Sequence, residues 1–177
     1  QLNIPTPPTG DQARVLGVDT SLRSSGVGLI QGPVKAPQFL TCGTIKNPAS
    51  LPHSECLRRI DAAVTELIEE HQPGAVAIEG IFFAKNARTA MILGQARGVV
   101  IAAAARAGVP VYEYAPRDVK SAMSGFGAAS KDQVARMITT MLKLKQVPQE
   151  DAADALAIAL CHLHRTTGVR AELPQPI

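Results

Sequence analysis

The sequence predicts an α/β domain with a five-stranded mixed sheet flanked by helices, and two observations support this prediction. Three short apolar runs come first, at residues 15–19, 26–31 and 39–45, each bounded by polar, glycine or proline turn signals. From residue 53 onward, stretches with helical periodicity alternate with further short apolar runs. A start rich in hairpins followed by strand–helix alternation is typical of a mixed sheet with helices on its faces.

The composition fits one globular domain. The chain has 177 residues, enough to bury a single hydrophobic core without disulfides or a structural metal. Hydrophobic residues make up 46% and charged residues 19%, which excludes a wholly disordered chain. Because only 3% of the residues are aromatic, Val, Ile, Leu and Ala must build the core. The net charge of +3 permits a polyanionic partner without arguing for one.

The first half of the chain is predicted to hold three strands and a helix. VLGVD at residues 15–19 is rich in β-branched residues and typical of a buried strand, and residues 26–31 and 39–45 follow as two more. A helix is predicted over residues 53–71. Its apolar residues are spaced three and four apart: Leu57, Ile60, Val64, Leu67 and Ile68.

The second half is predicted to alternate strands with helices. Residues 75–79 (AVAIE) and 109–114 are the fourth and fifth strands, and an Ala-rich helix over residues 87–107 separates them. Pro116 suits the first turn of a short helix, where a missing N–H costs nothing. Ser130 and Gln133 match a capping box for a helix that ends near residue 144. The last helix is predicted over residues 149–164.

The two ends of the chain lack this pattern. Residues 1–13, rich in Pro, Thr and Gly, are predicted to be a flexible leader, and residues 166–177 a flexible tail. This leaves one domain over residues 14–165. The longest apolar stretch, residues 99–105, is too short to span a bilayer. We therefore expect no membrane association.

The cysteines indicate a reducing compartment. Cys42, Cys56 and Cys161 lie far apart and form no CxxC pair. An odd number of scattered cysteines argues against a disulfide framework or a zinc site. We therefore expect a cytoplasmic protein.

Four carboxylates are candidates for a functional site. Asp19 and Glu79 each end a predicted strand, and ligands of α/β proteins usually bind beyond strand ends. Each alone has a plainer interpretation, an Asx-turn for Asp19 and a solvated side chain for Glu79. Asp151 and Asp154 share one face of a helix. Asp151 also suits a helix N-terminus, whereas Asp154 is followed at once by an apolar run.

This carboxylate pair beside a buried surface, with no basic partner nearby in the sequence, suggests a bound cation. Oxygen ligands without His or Cys point to Mg²⁺ or Mn²⁺. Four carboxylates would let two ions flank a phosphate, one activating water and the other stabilising the leaving oxygen. Spacing alone supports metal-dependent phosphodiester hydrolysis and ordinary structural acids about equally.

Four sequence blocks carry a resemblance to a known family. They are LGVDTSLRSSGVGLI, AIEGIFFAKN, LGQARG and DAADALAIA, which begin at residues 16, 77, 93 and 151. In this order, and over most of the chain, they resemble the RuvC-type Holliday junction resolvases. The resemblance implies a ribonuclease-H-like fold, a homodimer and metal-dependent, paired symmetric nicks in a four-way DNA junction during recombination and repair. It also implies a branch-migration helicase complex of the RuvA–RuvB type as a partner.

The resemblance assigns roles to individual residues. The family's four metal-binding, catalytic acids match Asp19, Glu79, Asp151 and Asp154, with Mg²⁺ (or Mn²⁺) as the cofactor and two ions expected per site. Phe82 matches the aromatic residue that stacks on or wedges a base, while Phe83 is expected to pack. Basic residues near the scissile phosphate match Lys120 and Lys131. Lys85 is a further candidate for phosphate contact.

Some features leave alternatives open. The family usually has Pro-Gly after its first Asp, whereas this chain has Thr20 and Ser21, so a junction-binding module with impaired catalysis is one rival. A nuclease acting on other branched substrates is a second, and a nucleotide-binding domain of the sugar-kinase type is a third. The helix over residues 87–107 suits either the core or a dimer interface. His162 and His164 diverge on their helix, so we assign them no metal.

Overall fold

Five strands form one mixed sheet in the computed structural model, which describes residues 13–80, 86–125, 129–166 and 173–177. The strands are β1 (Arg14–Asp19), β2 (Ser24–Gln31), β3 (Gln38–Lys46), β4 (Ala75–Glu79) and β5 (Val111–Tyr114). The helices in these residues are α1 (His53–His71), α2 (Ala87–Arg106), α3 (Pro116–Ser124), α4 (Lys131–Met141) and α5 (Glu150–Arg165). The predicted α/β class and five-stranded sheet are confirmed.

The sheet has the order β3–β2–β1–β4–β5, and its two halves are connected differently. Short turns make β1, β2 and β3 antiparallel neighbours, with Asp19 opposite Gly26. Helices α1 and α2 lead into β4 and β5, which pair in parallel, β4 with β1 and β5 with β4. The C-terminal ends of β1, β4 and β5 therefore meet at one edge of the sheet, where ligands of such sheets usually bind.

Successive residues of a strand face opposite sides of the sheet, and here they build two cores. Val15 and Ala77 belong to the core formed with α3, α4 and α5. Leu16 and Val76 belong to the core under α1 and α2. By this alternation, Asp19 is on the same side of β1 as Val15. It therefore faces α5.

Most predicted element ends lie within two residues of those observed, and two of the differences have local reasons. Helix α4 ends at Met141 instead of residue 144, because Lys143 adopts the left-handed region at φ 52°. Strand β5 begins at Val111 instead of residue 109, because the N–H of Val109 still bonds to the carbonyl oxygen of Ala104. The capping box at the start of α4 forms as predicted.

The ends of the chain are described only in part. The expected leader lies outside the described residues apart from Ala13, and most of the expected tail is also outside them. At the C-terminus, Leu173 packs against the α5-side core and the N–H of Ile177 bonds to the carbonyl oxygen of Val111. None of the described helices is long and apolar enough to cross a membrane.

Candidate active site

Two neighbouring parallel strands each end in a carboxylate. The last parallel pair between β1 and β4 joins Val18 to Ile78, so the residues that follow, Asp19 and Glu79, stand side by side at the sheet edge. Both residues are partly buried. The strand register thus brings together two acids that lie far apart in the sequence.

Helix α5 reaches this edge because glycines let it lie directly on β1 and β2. A Cβ added at Gly17 would stand 2.0 Å from the carbonyl oxygen of Ala155. One added at Gly26 would stand 1.8 Å from the carbonyl oxygen of Asp151, and one at Gly28 would crowd a leucine side chain at 2.8 Å. Real Cβ atoms do not approach other atoms so closely, so any larger residue would push the helix away.

The two predicted site acids on α5, Asp151 and Asp154, are held by different partners. Ser24, the first residue of β2, donates its hydroxyl hydrogen bond to Oδ2 of Asp151. Lys131, the first residue of α4, places its Nζ 3.2 Å from Oδ2 of Asp154 and 2.5 Å from Oε1 of Glu150. A neutral donor therefore holds Asp151, whereas a cation holds Asp154.

Three of the four acids line one cavity of about 280 Å³. Its charged lining consists of Asp19, Glu79, Asp154, Lys120 and Lys131. Asp151 is not among the lining residues, although its charge acts on both Asp19 and Asp154. A larger groove of about 810 Å³ lies between β3 and the segment after α4, but none of the described residues that line it is an acid. The acids singled out by the sequence therefore meet at the smaller cavity.

The acids around the cavity disfavour one another's charge. Burial raises the pKa of Asp19 from 3.8 to about 7, and the charges of Asp154, Glu79 and Asp151 add to the effect. Burial also raises the pKa of Glu79 and of Asp154, against the opposing charge of Lys131. The hydrogen bond from Lys131 to Glu150, with the charge of Asp154, raises the pKa of that lysine and keeps it protonated. A cation among the acids would relieve their repulsion.

The donor chemistry of this cavity suits a hard divalent cation. Among the described residues that line it, the candidate ligands are carboxylates, with neither His nor Cys. As they stand, however, no three acidic, His or Cys side chains in the described part of the chain are arranged to hold a metal ion. Binding a metal would therefore require some of these side chains to turn toward it.

Known proteins place this site in a family. The family model "Crossover junction endodeoxyribonuclease RuvC" matches residues 15–162, which include all four carboxylates. The chain belongs to the RuvC family. The RuvC of Pelotomaculum thermopropionicum is 43% identical over 157 residues, covering 88% of this chain and 96% of the relative. That of Photorhabdus laumondii is 48% identical over 153 residues, covering 86% and 87%.

A solved RuvC structure has the same fold. T. thermophilus RuvC in complex with a Holliday junction substrate superposes with a TM-score of 0.86 and is 38% identical, covering 93% of this chain and 99% of that one. The ribonuclease-H-like fold implied by the sequence resemblance is thereby confirmed. RuvC proteins are crossover junction endodeoxyribonucleases, and the family is metal-dependent.

The remaining site residues predicted for this RuvC chain have different outcomes. Lys120 and Lys131 both line the cavity with the acids. Phe82 and Lys85 lie outside the described residues, so their roles stay predictions. Asn86, beside them, caps α2 by accepting a hydrogen bond from the N–H of Thr89.

Sequence reasoning missed the two serines that organise the turn after Asp19. Ser25 is buried; its hydroxyl accepts a hydrogen bond from the N–H of Ser21 and donates one to the carbonyl oxygen of the same residue. This holds the turn in which Thr20 and Ser21 replace the usual Pro-Gly. Ser24 binds Asp151 from the adjacent position. The only signal in the sequence was two hydroxyl residues at the start of a strand.

His162, near the end of α5, is buried in the core. Nδ1 of His162 lies 2.7 Å from the hydroxyl oxygen of Tyr114, and its ring centroid lies 4.6 Å from that of Tyr112. Burial lowers the pKa of His162 to about 4, so the ring is neutral at pH 7. Its role is therefore to fill and hydrogen-bond the core.

Proposed function

We propose that this RuvC-family chain resolves Holliday junctions by paired symmetric nicks in DNA recombination and repair. The observation that carries the proposal is the cavity in which Asp19, Glu79 and Asp154 meet beside Lys120 and Lys131. Acids that disfavour one another's charge, next to cations that attract phosphate, suit metal-dependent hydrolysis of a phosphodiester. The bound substrate of T. thermophilus RuvC, a Holliday junction, supports the choice of DNA.

Asp19, Glu79, Asp151 and Asp154 are the proposed ligands of two Mg²⁺ ions, or Mn²⁺ in their place. When bound, such ions activate a water molecule and stabilise the leaving oxygen. The acids themselves sit on stiff elements, two at strand ends and two on a helix that is packed onto the sheet. Their backbone positions are thus set before any substrate arrives, and only side-chain rotation remains.

Lys120 and Lys131 are the proposed phosphate contacts inside the cavity. DNA brings negative charge toward the acids, and two lysines in the lining offset the resulting repulsion. We also propose Lys85 as a phosphate contact and Phe82 as the residue that stacks on a base near the crossover. The assignments of Lys120, Lys131 and Phe82 follow from the match of the sequence to the family's motifs, whereas that of Lys85 follows from its basic side chain near Phe82 in the sequence.

We further propose that the chain acts as a homodimer through one face of α2. This α2 face consists of Met91, Gly94, Gly98 and Ala102, spaced three and four residues apart. Met91 is 66% exposed, and a Cβ added at either glycine would meet nothing within 4 Å. Because the two glycines have no side chains, this apolar surface allows a second helix to approach closely. A twofold dimer would also present two active sites, one for each of the paired nicks.

The remaining parts of the proposal concern the protein partners, the bounds of the domain and the cellular compartment. A branch-migration helicase complex of the RuvA–RuvB type would deliver the junction, and the nuclease domain would span residues 14–165. The three free cysteines of the described residues suit the reducing cytoplasm, where we place the protein.

The proposal is tested with a labelled mobile four-way junction and a linear duplex of matched sequence. Purified protein is incubated with each in Mg²⁺, in Mn²⁺ or in EDTA, and the products are separated on denaturing gels. We expect symmetric nicks in the junction alone, which disappear in EDTA. Tight junction binding without nicks in either metal would favour the binding module instead. Equal cleavage of junction and duplex would contradict the proposed substrate.

A further inference from the structure

Ser24 stands beside the proposed catalytic acids although it is neither an acid nor a base. It opens β2, pairs across the sheet with Lys46 of β3, and is partly buried. Its hydroxyl donates to Oδ2 of Asp151. Among the described residues, no other hydrogen bond reaches the carboxylate of Asp151. The orientation of this acid therefore depends on one side chain.

Only one of the two carboxylate oxygens of Asp151 is hydrogen-bonded by the described residues. Oδ2 accepts the hydroxyl of Ser24, which leaves Oδ1 with no donor from the described residues. A carboxylate with one oxygen engaged can still bind a cation through the other. The backbone of Asp151 is packed against Gly26, so the hydroxyl of Ser24 meets this side chain where α5 contacts the sheet.

The contrast with Asp154 explains why a neutral donor is useful here. Lys131 lies 3.2 Å from Oδ2 of Asp154, and its positive charge repels any cation that approaches the same carboxylate. Ser24 carries no charge, so it can orient Asp151 without competing with the metal electrostatically. Of the two proposed metal ligands on α5, Asp151 is thus the one whose hydrogen-bond partner carries no charge.

We infer that Ser24 is a positioning residue for the metal site: it holds Oδ2 of Asp151 so that Oδ1 can ligate the divalent ion. This inference rests on the proposed function, since it assumes that Asp151 binds the metal. It adds a residue outside the four acids. It also fixes a direction of effect, because loss of the hydroxyl must weaken metal binding, not strengthen it.

The sharpest test compares Ser24→Val with Ser24→Thr, two side chains of nearly the same shape, only one of which keeps a hydroxyl. Mn²⁺ binding to the full chain is measured by calorimetry without DNA. We expect Ser24→Val to weaken the binding by about tenfold, whereas Ser24→Thr stays within about twofold of the unchanged protein. Both suit a strand, and Ser54→Ala, at an exposed position in the first turn of α1, is the matched control.

A second arm uses nicking of the junction at varied Mg²⁺. For Ser24→Val, the Mg²⁺ concentration at half-maximal rate should rise by about tenfold, while the rate at saturating Mg²⁺ stays within about threefold. In an Asp151→Asn background, the same change should have no further effect on Mn²⁺ binding. A merely structural role of Ser24 would lower the rate at every Mg²⁺ concentration and would add to the effect of Asp151→Asn.

The outcomes separate this inference from the function on which it rests. If the unchanged protein binds Mn²⁺ but Ser24→Val binds it equally well or more tightly, the inference is wrong and the nuclease proposal stands. If the unchanged protein neither binds Mn²⁺ nor nicks the junction, the proposed metal site itself fails. Tenfold weaker binding in Ser24→Val, restored in Ser24→Thr, would support both.

Discussion

Two pairs of glycines in this molecule have opposite surroundings. Gly17 and Gly26 on the sheet have no room for a Cβ, because α5 lies against them, whereas Gly94 and Gly98 on α2 have nothing within 4 Å. The first pair is needed by the chain's own packing, which carries Asp151 to the sheet edge. In the described part of the chain, nothing packs against the second pair. The same residue type thus allows an internal contact in one region and leaves an open surface, our proposed dimer contact, in the other.

The largest effect on stability is expected at Gly26. In Gly26→Ala, the new Cβ would stand 1.8 Å from the carbonyl oxygen of Asp151, so the start of α5 must move. We expect the free energy of unfolding to fall by about 2–4 kcal/mol. Junction nicking should fall by about 100-fold or more, because a shift of about 1 Å misplaces the acids of α5. Urea denaturation and single-turnover nicking below the unfolding transition measure the two effects.

Gly43→Ala is the matched control for this change. Gly43 lies in β3, and a Cβ there would meet nothing within 4 Å. Its stability and nicking rate should stay close to those of the unchanged protein. If Gly26→Ala behaved like Gly43→Ala, the tight contact between β2 and α5 would not be what positions the site.

A smaller effect on stability, of opposite sign, is expected at Asp19. Its pKa is about 7 in the folded protein against a usual value of 3.8, so between these pH values the folded state holds a proton that the unfolded chain has released. The contribution of Asp19 to stability is therefore highest below about pH 4, is lost as the pH rises toward 7, and stays low above it. Without metal, Asp19→Asn should be more stable than the unchanged protein by about 1–3 kcal/mol at pH 8.

Thermal unfolding from pH 4 to pH 8 in EDTA measures this difference, which should shrink toward acid pH. Adding Mg²⁺ at pH 8 should stabilise the unchanged protein and leave Asp19→Asn almost unaffected. A stability gap that did not change with pH would contradict the assignment of the raised pKa to Asp19.

The smallest effect on stability is expected at Gly98. Within the single chain, Gly98→Ala should stabilise α2 by about 0.5–1 kcal/mol, because Ala is the better helix former and the added Cβ meets nothing within 4 Å. Across the proposed dimer contact, the same Cβ would oppose close approach of the second helix. Gly98→Glu should leave the fold intact but convert the proposed dimer to monomers in light scattering. Ala62→Glu, at an exposed site on α1, is the control and should stay dimeric. If Gly98→Glu stayed dimeric, the dimer interface would have to lie elsewhere than on the α2 face.

Much of the fold could be predicted because its signals are local. Strands such as β1 and β4 are short apolar runs, and the acids that end them, Asp19 and Glu79, are visible as sequence neighbours of those runs. The pairing of these two acids then follows from parallel strands that share an edge. The capping box of α4 is equally local, since Ser130 lies three residues before Gln133.

The parts that were missed depend on packing between distant segments. That Ser24 holds Asp151, and that Lys131 ties Asp154 to Glu150, follows only from how α5 lies on the sheet and beside α4. The sequence showed no basic partner near Asp154 because Lys131 belongs to another helix. Likewise, the sequence grouped Asp151 with the other three acids and gave no sign that it is not among the residues lining their cavity.

The central claim is that the acids of the cavity perform the chemistry and are not needed for the fold or for DNA binding. Asp154→Asn tests this most directly, because the amide keeps the shape and removes the charge. Nicking and binding of the same labelled four-way junction are measured in Mg²⁺. We expect nicking to fall by about 1,000-fold or more, with junction affinity within about threefold and an unchanged unfolding transition. Nicking at the original rate, or a protein that no longer folds, would contradict the account.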